Sequence, residues 1–559
     1  MLEEAGTPYY YSTKTGEQDI ALHHGVRIDG ALDAKGMRAF CLEHDIRLMV
    51  DAAHPFAVIL HQTIGQVADS LQLPVVRYER IYPPRDPSIT WISDYSEVPR
   101  DIHTLLATTG VQSIARLKPL EQEGIQVYYR ILQRASSLVL AQKQGARREQ
   151  LCYYDQPHDI PVCADAILLK ESGLSGGFNE KVEAARRRGM RVIVIKRPAL
   201  SSFFTHCITV DGPYGLRRTI EKLLPDFYPL KSGLTTGTCA TAAAIAATRR
   251  LMKGETAEKV PVVLPNGETI LVPVGYGDGY AYCIKEAGDD PDVTNGLEIR
   301  ASVERSDSLT IDGGEGVGRF TLPGFDYPPG EAAINKGPRE MMRQNIKESV
   351  RIVISVPQGA ETAKRTFNPR LGIEGGISII GVSGIVKPFS EEAFVESIRK
   401  CMQVAKASGA DCVVLNSGAK SERFLRQRYA DLPQQAFVQY GNFIGETLRM
   451  AAGLGVKNVV LGVMMGKAVK LAEGQLDTHS KRGTMNPDFI RRMLDEAHCH
   501  CDISDITLAR ELWDRVPEEQ TEAVCRVVIR HCLEHCLPLV PEARLTLLLI
   551  ADDGTIHSL

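Results

Sequence analysis

Residues 232–247 read SGLTTGTCATAAAIAA, a Gly/Thr loop that runs directly into an alanine-rich helix. Ser232, Thr235, Thr236, Gly237 and Thr238 are residue types that leave backbone N–H groups able to turn toward a ligand. Six alanines among positions 240–247 then start a helix at little propensity cost. A helix N-terminus gathers unpaired N–H donors and the positive end of the peptide dipole, so this spacing permits capture of a carboxylate or phosphate. The same spacing also describes a capped helix buried in a core. A second group of chemically capable residues lies near the C-terminus, where His498, Cys499, His500 and Cys501 precede HCLEHC at 531–536. His531 and His535 stand four apart on a predicted helix, as do Cys532 and Cys536, a spacing that lets either pair chelate a soft or borderline metal. Thiols and imidazoles on partly buried helical positions give the same pattern without a metal, and no metal site is expected.

These residues need elements to hold them. Residues 1–228 alternate apolar runs with helical stretches: DIRLMVDA (45–52), LPVVRYER (73–80), HTLLATTG (103–110), IQVYYRIL (125–132), DAILLK (165–170) and MRVIVIKRP (190–198) are predicted strands, with a helix after His54. Such alternation argues for a parallel, doubly wound sheet in two lobes, about 1–104 and 105–228. Pro225 and Pro229 in LLPDFYPLK (223–231) break the register and predict a linker. Residues 230–388 are richer in glycine and in β-type runs such as ETILVPV and SVRIVISVP, which predicts an α+β domain. Over 389–559 the helix–strand alternation returns, with DCVVLNSG (411–418), AFVQYGN (436–442) and KNVVLGVMMGK (457–467) as consecutive strands of an α/β domain.

Bulk properties bound the rest. A chain of 559 residues exceeds what one core supports, so about two to four domains are expected. A 44% hydrophobic, 24% charged composition with net charge −4 excludes a dedicated nucleic-acid or membrane-surface protein. Thirteen scattered cysteines and no secretory leader predict reduced thiols in the cytoplasm. No apolar run approaches the ~20 residues that span a bilayer.

The opening run resembles the start of the cobalt-precorrin-5B carbon-1 methyltransferase family of cobalamin biosynthesis. Further blocks follow in the family order: KEAGDDPDVTNG (285–296), GGEGVGRFTLPGF (313–325), GEAAINKGPRE (330–340), TFNPRLGIEGGISIIGVSGIVKPFS (366–390) and GKAVKLAEGQLDTHSKR (466–482). The resemblance implies a cobalt-bound tetrapyrrole with several carboxylates as substrate. Holding such a polyanion calls for glycine-lined surfaces that approach a flat ring, and for fixed cations. Gly313, Gly314, Gly316 and Gly318 beside Arg319, Gly372, Gly375 and Gly376 after Arg370, and Gly466 beside Lys467 and Lys470 offer both, together with Thr235, Thr236, Gly237 and Thr238. Tight turns and strand crossings are the other reason for such glycines. Asp289, Asp290 and Asp292 are read as turn-capping residues rather than a metal site. Thr478, His479 and Ser480 sit in the last block, and His479 either orients a carboxylate and moves a proton or is a satisfied loop histidine.

The implied reaction is methyl transfer from S-adenosylmethionine to carbon 1 of the macrocycle, for which alignment of an already nucleophilic ring is the main requirement. Open α/β sheets bind ligands at the carboxyl ends of their strands. Ser417, Gly418, Gly441, Asn442 and Gly462 are therefore the expected contacts to the methyl donor.

VDAAHPFA (50–57) followed by LPVVRYER resembles the precorrin-6A reductase family, with support from LLATTGVQSI (105–114), LLKESGLSGGFNEKVEAARRRG (168–189) and VIVIKRP (192–198). The resemblance implies reduction of a macrocycle double bond with NADH or NADPH. Thr109 and Gly110 end a strand, and Lys170, Ser172 and Gly173 lead into a helix starting near Glu180, an arrangement suited to phosphate or carboxylate. His54 is read either as a loop residue facing the cleft or as a packed histidine before Pro55. Against the family pattern the chain opens near the end of the first helix, at LEEAGTPYYYST. The first strand and its Gly-Gly-Thr loop are expected to be missing, with an upstream start codon or an altered nucleotide site as the alternatives.

The expected fold is thus multidomain, α/β and α+β, with two-lobed Rossmann-like parallel sheets, then an α+β domain and an α/β domain. The expected function is carbon-1 methylation, with nicotinamide-dependent reduction in the first lobe. Alternatives are an inactive reductase-like docking lobe and a non-catalytic corrinoid or cobalt carrier. The expected partners are the tetrapyrrole and other corrin-pathway enzymes, with a homo-oligomer left open and no nucleic acid or membrane.

Overall fold

In the computed structural model, which describes residues 1–13, 21–156, 158–479 and 485–559, the apolar runs of the first part pair entirely in parallel. The chain forms two units, Met1–Lys231 with Val263–Leu271, and Ser232–Val262 with Val272–Leu559. In the first, a six-stranded sheet has the order Thr90–Ile92, Arg191–Ile195, Ala166–Lys170, Thr104–Ala107, Gln126–Ile131, Leu151–Tyr153. Its successive residues alternate between two cores. Leu105, Ala107, Leu168, Ile193 and Ile195 enter one, and Leu106, Ile167, Leu169, Val192 and Val194 the other. A sheet covered on both faces requires the near-continuous apolar runs seen in the sequence. A three-stranded parallel sheet, Cys207–Val210, Val75–Tyr78, Met49–Asp51, forms the other lobe of this unit, with a separate pair Tyr9–Thr13 and Gly25–Asp29. The chain begins with a short 3-10 turn, Glu3–Ala5.

The stretch predicted as a linker is packed instead. Tyr228 is buried against Leu216 and Ile220, the Arg217 guanidinium stacks on its ring, and Arg217 Nη2 donates to Leu230 O. The aromatic ring between Pro225 and Pro229 outweighs the turn signal of the prolines.

The second unit opens with the alanine-rich helix, Thr236–Lys253. Thr235 caps it through a bond from Thr238 N to Thr235 Oγ1 of 3.2 Å, an interaction that contributes about 1 kcal/mol. Residues 236–248 are all buried, because alanine gives a helix too thin to hold neighbours at arm's length. It packs on a five-stranded sheet, Gly275–Tyr276, Tyr280–Ile284, Glu298–Arg305, Val350–Ser355, Thr310–Gly313, antiparallel except for the last pair. After the helix Glu391–Ala407 comes an α/β sheet, Phe437–Gln439, Cys412–Asn416, Asn458–Met464, Arg544–Ile550, Ile556–His557, parallel except for the final pair. The chain leaves Cys412–Asn416 to add one neighbour on each side, so the sheet's topological switch point lies between the carboxyl ends of Cys412–Asn416 and Asn458–Met464.

Most glycines expected to face a flat ligand face other atoms of the protein. A Cβ on Gly316 would stand 1.8 Å from Val356 O, one on Gly359 2.0 Å from Gly316 O, and one on Gly376 2.1 Å from Gly316 O. Gly313, Gly314, Gly318 and Gly372 are similarly filled by Val317, Ser355, Ile373 and Leu322. The backbone contacts are chain crossings, and of the glycines expected to face a ligand Gly375 and Gly466 have open space beside them. Gly376→Ala should therefore cost about 3 kcal/mol or more in a denaturant melt. Gly375→Ala, strained only by its φ of 84°, should cost about 1 kcal/mol. Equal costs would refute the crossing.

Candidate functional site

The helix start at 235–238 is closed by the protein itself. Gly237 N donates to Ile380 O at 2.9 Å, Thr235 N to Gly384 O at 3.2 Å, and Thr238 Oγ1 to Gly384 O at 2.6 Å. Thr236 Oγ1 accepts from Ile380 N at 2.8 Å, and Ser232 is buried. The expectation that these groups turn to a ligand is corrected: the loop 378–384 takes them. Arg319 Nη1 donates to Gly330 O, and its Nη2 reaches Asp312 and Gly313 O. Arg370 is spent on Glu422, at 2.7 Å, a buried carboxylate that also receives Arg426 and Gln439. Against burial, which raises it, these bonds hold the Glu422 carboxyl below its ordinary range. Asp292 binds the buried Lys285 ammonium at 2.7 Å, and Asp290 accepts from Phe389 N, so both serve the loop they cap.

At the switch point of the α/β sheet the geometry is different. Gly418 and Gly466 have open space where a Cβ would stand. Asn416, fully buried at its strand end, donates to Val438 O, while its Oδ1 has no hydrogen-bond partner among the described residues. Ser417 N donates to Ser421 Oγ at 3.1 Å, closing the turn into the helix Ala419–Arg428. Tyr440 is fully buried and donates from its hydroxyl to Gly462 O at 3.0 Å. Gly462 lies within its strand against Leu425 and Ile550, so its expected place at a strand end is corrected. Gly441 turns with φ 60° beside the Phe394 ring. Lys467 Nζ donates to Gly441 O over the Tyr440 ring, and Lys470 Nζ to Thr478 O. Thr478 N donates to Asn442 O at 3.0 Å, which brings the 466–479 block against residues 440–442. His479, half-buried, follows with its backbone N on Asp477 Oδ1. Ser480 lies outside the described residues. Of the expected residues, then, Ser417, Gly418, Gly441, Asn442, Lys467, Lys470 and His479 gather at one end of this sheet. The Asn416 oxygen was visible in sequence only as a strand terminus.

Burial and the nearby Lys470 push the Lys467 ammonium down to about 8, with Asp477 opposing them. The C-terminal thiols move the other way. Burial raises Cys536 to about 12 and Cys532 well above its ordinary value. His531 is bound to Glu496, and among the described residues no group of three or more His, Cys, Asp and Glu could hold a metal ion.

In the first unit the strand ends of Thr104–Ala107 and Ala166–Lys170 are neighbours. Gly110 has φ 85° and open space beside it, while the Thr109 hydroxyl is 2.6 Å from Ser113 Oγ. Lys170 Nζ stands 5.1 Å from the centre of the Phe56 ring. Ser172 O accepts from Arg80 Nη1 at 2.8 Å, and Gly173 packs on Arg80 and Ile81 O, a tight turn where a ligand contact was expected. The following helix starts at Phe178. His54 is a loop residue, exposed, with Nδ1 accepting from Phe56 N. Its carbonyl is held by the buried His61, which also contacts Asp51 at 2.6 Å.

Residues 225–388 match the sequence profile of the CbiD family, and residues 1–211 match that described as precorrin-6x reductase CbiJ/CobK. A cobalt-precorrin-5B C(1)-methyltransferase of Prosthecochloris aestuarii is 41% identical over 352 residues, 58% of this chain and 95% of that protein. Among solved structures, the cobalamin biosynthesis protein (cbiD) of Archaeoglobus fulgidus is 30% identical, covers 45% of this chain and 83% of its own, and has a TM-score of 0.27. A CobK precorrin-6A reductase is 17% identical, covers 40% of this chain and 90% of its own, and has a TM-score of 0.32. The class is thus a corrin-pathway methyltransferase joined in one chain to a reductase-type module. The chain belongs to the cobalt-precorrin-5B C(1)-methyltransferase family.

The depressed Lys467 has a stability consequence. Between about 8 and its ordinary 10.5 the unfolded chain holds a proton that the folded chain has released, so stability rises with pH through that window. Below it, the folded protein carries the full penalty of the half-buried charge. Lys467→Met should raise the denaturation midpoint at pH 7, with a smaller advantage at pH 9.5. A lower midpoint at both values would make Lys467 a stabilising partner of Gly441 O instead.

Proposed function

We propose that this protein methylates carbon 1 of cobalt-precorrin-5B with S-adenosylmethionine, giving cobalt-precorrin-6A during corrin-ring assembly. Its first unit, on the same reading, carries out nicotinamide-dependent reduction of that product to cobalt-precorrin-6B. The supporting observation is a relative of that name matched over 95% of its length. The open space beside Gly418 and Gly466 and the unpartnered Asn416 oxygen at the switch point of the α/β sheet suit a methyl donor. S-adenosylmethionine, when bound, supplies an electrophilic methyl group, the bonding pair departing on sulfur.

The chain's own residues do the aligning. Lys467 and Lys470 present ammonium groups to substrate carboxylates or to a donor carboxylate. The unpartnered Asn416 Oδ1 accepts from an N–H or O–H of the ligand, which lifts the cost of leaving it unmade. Tyr440, locked by its bond to Gly462 O, fixes the Gly441 turn against which Lys467 rests. His479 orients a carboxylate or moves a proton at the rim. Alignment of a nucleophilic ring and a sulfonium accounts for most of the acceleration such a site needs. In the first unit, NADH or NADPH would supply hydride, with Gly110 and Lys170 at the strand ends available to its phosphates.

Anaerobic incubation with cobalt-precorrin-5B and S-adenosylmethionine, read by mass spectrometry, should show gain of one methyl. Gain of two further hydrogens, only with NADH or NADPH present, would show the reductase half at work. Their absence would leave the first unit as a docking lobe. Gly466→Leu places a side chain in the crevice at a helical position with ordinary φ. It should cut methyl transfer roughly a hundredfold without lowering the melting temperature. An unchanged rate would move the donor site elsewhere.

A further inference from the structure

The HCHC run at 498–501 has no part in either proposed reaction, and the fold gives it a definite shape. The helix Pro487–Glu496 ends in a reverse turn in which His498 N donates to Asp495 O at 3.0 Å and Cys499 N to Leu494 O at 2.8 Å. His498 takes the left-handed conformation that this turn requires, with φ 52°, at a place that glycine fills at least cost. Such a turn folds the next residue back onto the helix it closes. Cys499 is accordingly carried into the core cluster that holds Met493, Leu494 and Ala497, and is 2% exposed.

Two residues on, Cys501 reaches the edge of the same cluster and is half-buried, while His500 between them is exposed. This in-out-in alternation is the one that side chains make along an extended chain. It leaves the two thiols within hydrogen-bonding reach of each other. Burial first, and Cys501 after it, push the Cys499 thiol up to about 11, so Cys499 keeps its proton. Other thiols of this unit are placed differently. Cys532 and Cys536 are fully buried on one helix, where Cys532 Sγ donates to Ala468 O at 3.2 Å. Oxidation to a disulfide needs a neighbouring pair with one member open to water, whereas buried thiols are inert.

We propose that Cys499 and Cys501 form a reversible redox site, in which a hydroperoxide oxidises the pair to an intramolecular disulfide. Cys501, the member that solvent reaches, acts first. Its sulfur attacks the outer peroxide oxygen, the O–O bond breaks, and the thiol proton leaves with the other oxygen as water or an alcohol. Cys501 is then a sulfenic acid. The Cys499 sulfur attacks that sulfur, the S–O bond breaks, and the hydroxyl departs with the Cys499 proton as water. The two thiols lose two hydrogens and two electrons, and the peroxide takes up both. The disulfide closes a ring over a single intervening residue, and a strained bond of that kind is readily reduced by a dithiol. The site is therefore a labile modification and not a staple of the fold.

The test exposes the full chain to hydrogen peroxide, blocks the remaining thiols under denaturing conditions and reads tryptic peptides by mass spectrometry. Cleavage after Arg492 and Arg510 isolates Cys499 and Cys501 on one peptide, and cleavage after Arg530 and Arg544 isolates Cys532 and Cys536 on another. The first peptide should lose two hydrogens and escape the blocking reagent at least about tenfold faster than the second. Dithiothreitol should restore it. In Cys499→Ser the oxidation should stop at a Cys501 sulfenic acid that dimedone traps, and in Cys501→Ser the first peptide should stay unoxidised. The unaltered protein carries the main readout, so a variant that fails to fold leaves the test intact. No loss of hydrogens from the first peptide, equal rates for the two peptides, or a link from either cysteine to a third overturns the proposal. Conversion of Cys501 to a sulfinic acid with Cys499 left reduced overturns it as well.

Discussion

Parallel pairing forces every carboxyl strand end of a sheet to one edge, and most of what is chemical in this protein follows from that. Inside a sheet covered on both faces, residues have no freedom but to be apolar, as Leu105 to Ala107 and Ile167 to Leu169 are. Polar groups collect where the strands stop. Asn416 and Ser417, or Lys170 and Glu171, are each the first polar pair after a run of buried aliphatics. The strand fixes their backbone and the next helix leaves through the turn they make, so their side chains start from rigid positions.

That logic was legible in the sequence because a doubly covered strand has a signature, a short aliphatic run ending in polar residues. Strands were expected and are found at Val75–Tyr78, Thr104–Ala107, Ala166–Lys170, Cys412–Asn416 and Asn458–Met464. The glycines were not legible in the same way. A glycine is required both where a ligand comes close and where another backbone does, and the letter is identical. Gly359 and Gly376 pack on the Gly316 carbonyl and Gly316 on that of Val356, whereas Gly418 and Gly466 face open space. Only the folded structure separates the two cases. The Thr235–Thr238 turn misled for a related reason: a capped helix start and an anion site share the same residues, and the difference is a loop 142 to 146 positions away in the chain.

Charges divide along the same line. Arg370 and Arg319 looked like anion ligands in sequence, yet each is consumed by an acid or carbonyls of its own unit. Glu422, a buried carboxylate with two guanidiniums, has its negative charge fully answered. Removing one partner of such a group is costly, which makes these arginines part of the frame rather than free hands. Among the described residues Lys467 donates to a carbonyl, with Asp477 at longer range, and burial beside Lys470 lowers its hold on the proton. Whether a cation is structural or available turns on the nearest acid, which spacing along the chain does not give and distance does.

The first unit carries this asymmetry furthest. Three of its acids, Asp51, Glu79 and Glu171, are each tied to an arginine or histidine. His61 holds the loop carrying His54 through its carbonyl, and Arg80 and Lys181 donate to Ser172 O and Gly176 O rather than to an acid. These acids are therefore answered within the scaffold, while Arg80, Lys170 and Lys181 make no ion pair among the described residues. A net charge of −4 for the whole chain conceals that local sign. Electrostatics at such a place is decided within a few ångströms by which acids are already taken, so a negative net charge leaves room for a concentrated positive patch.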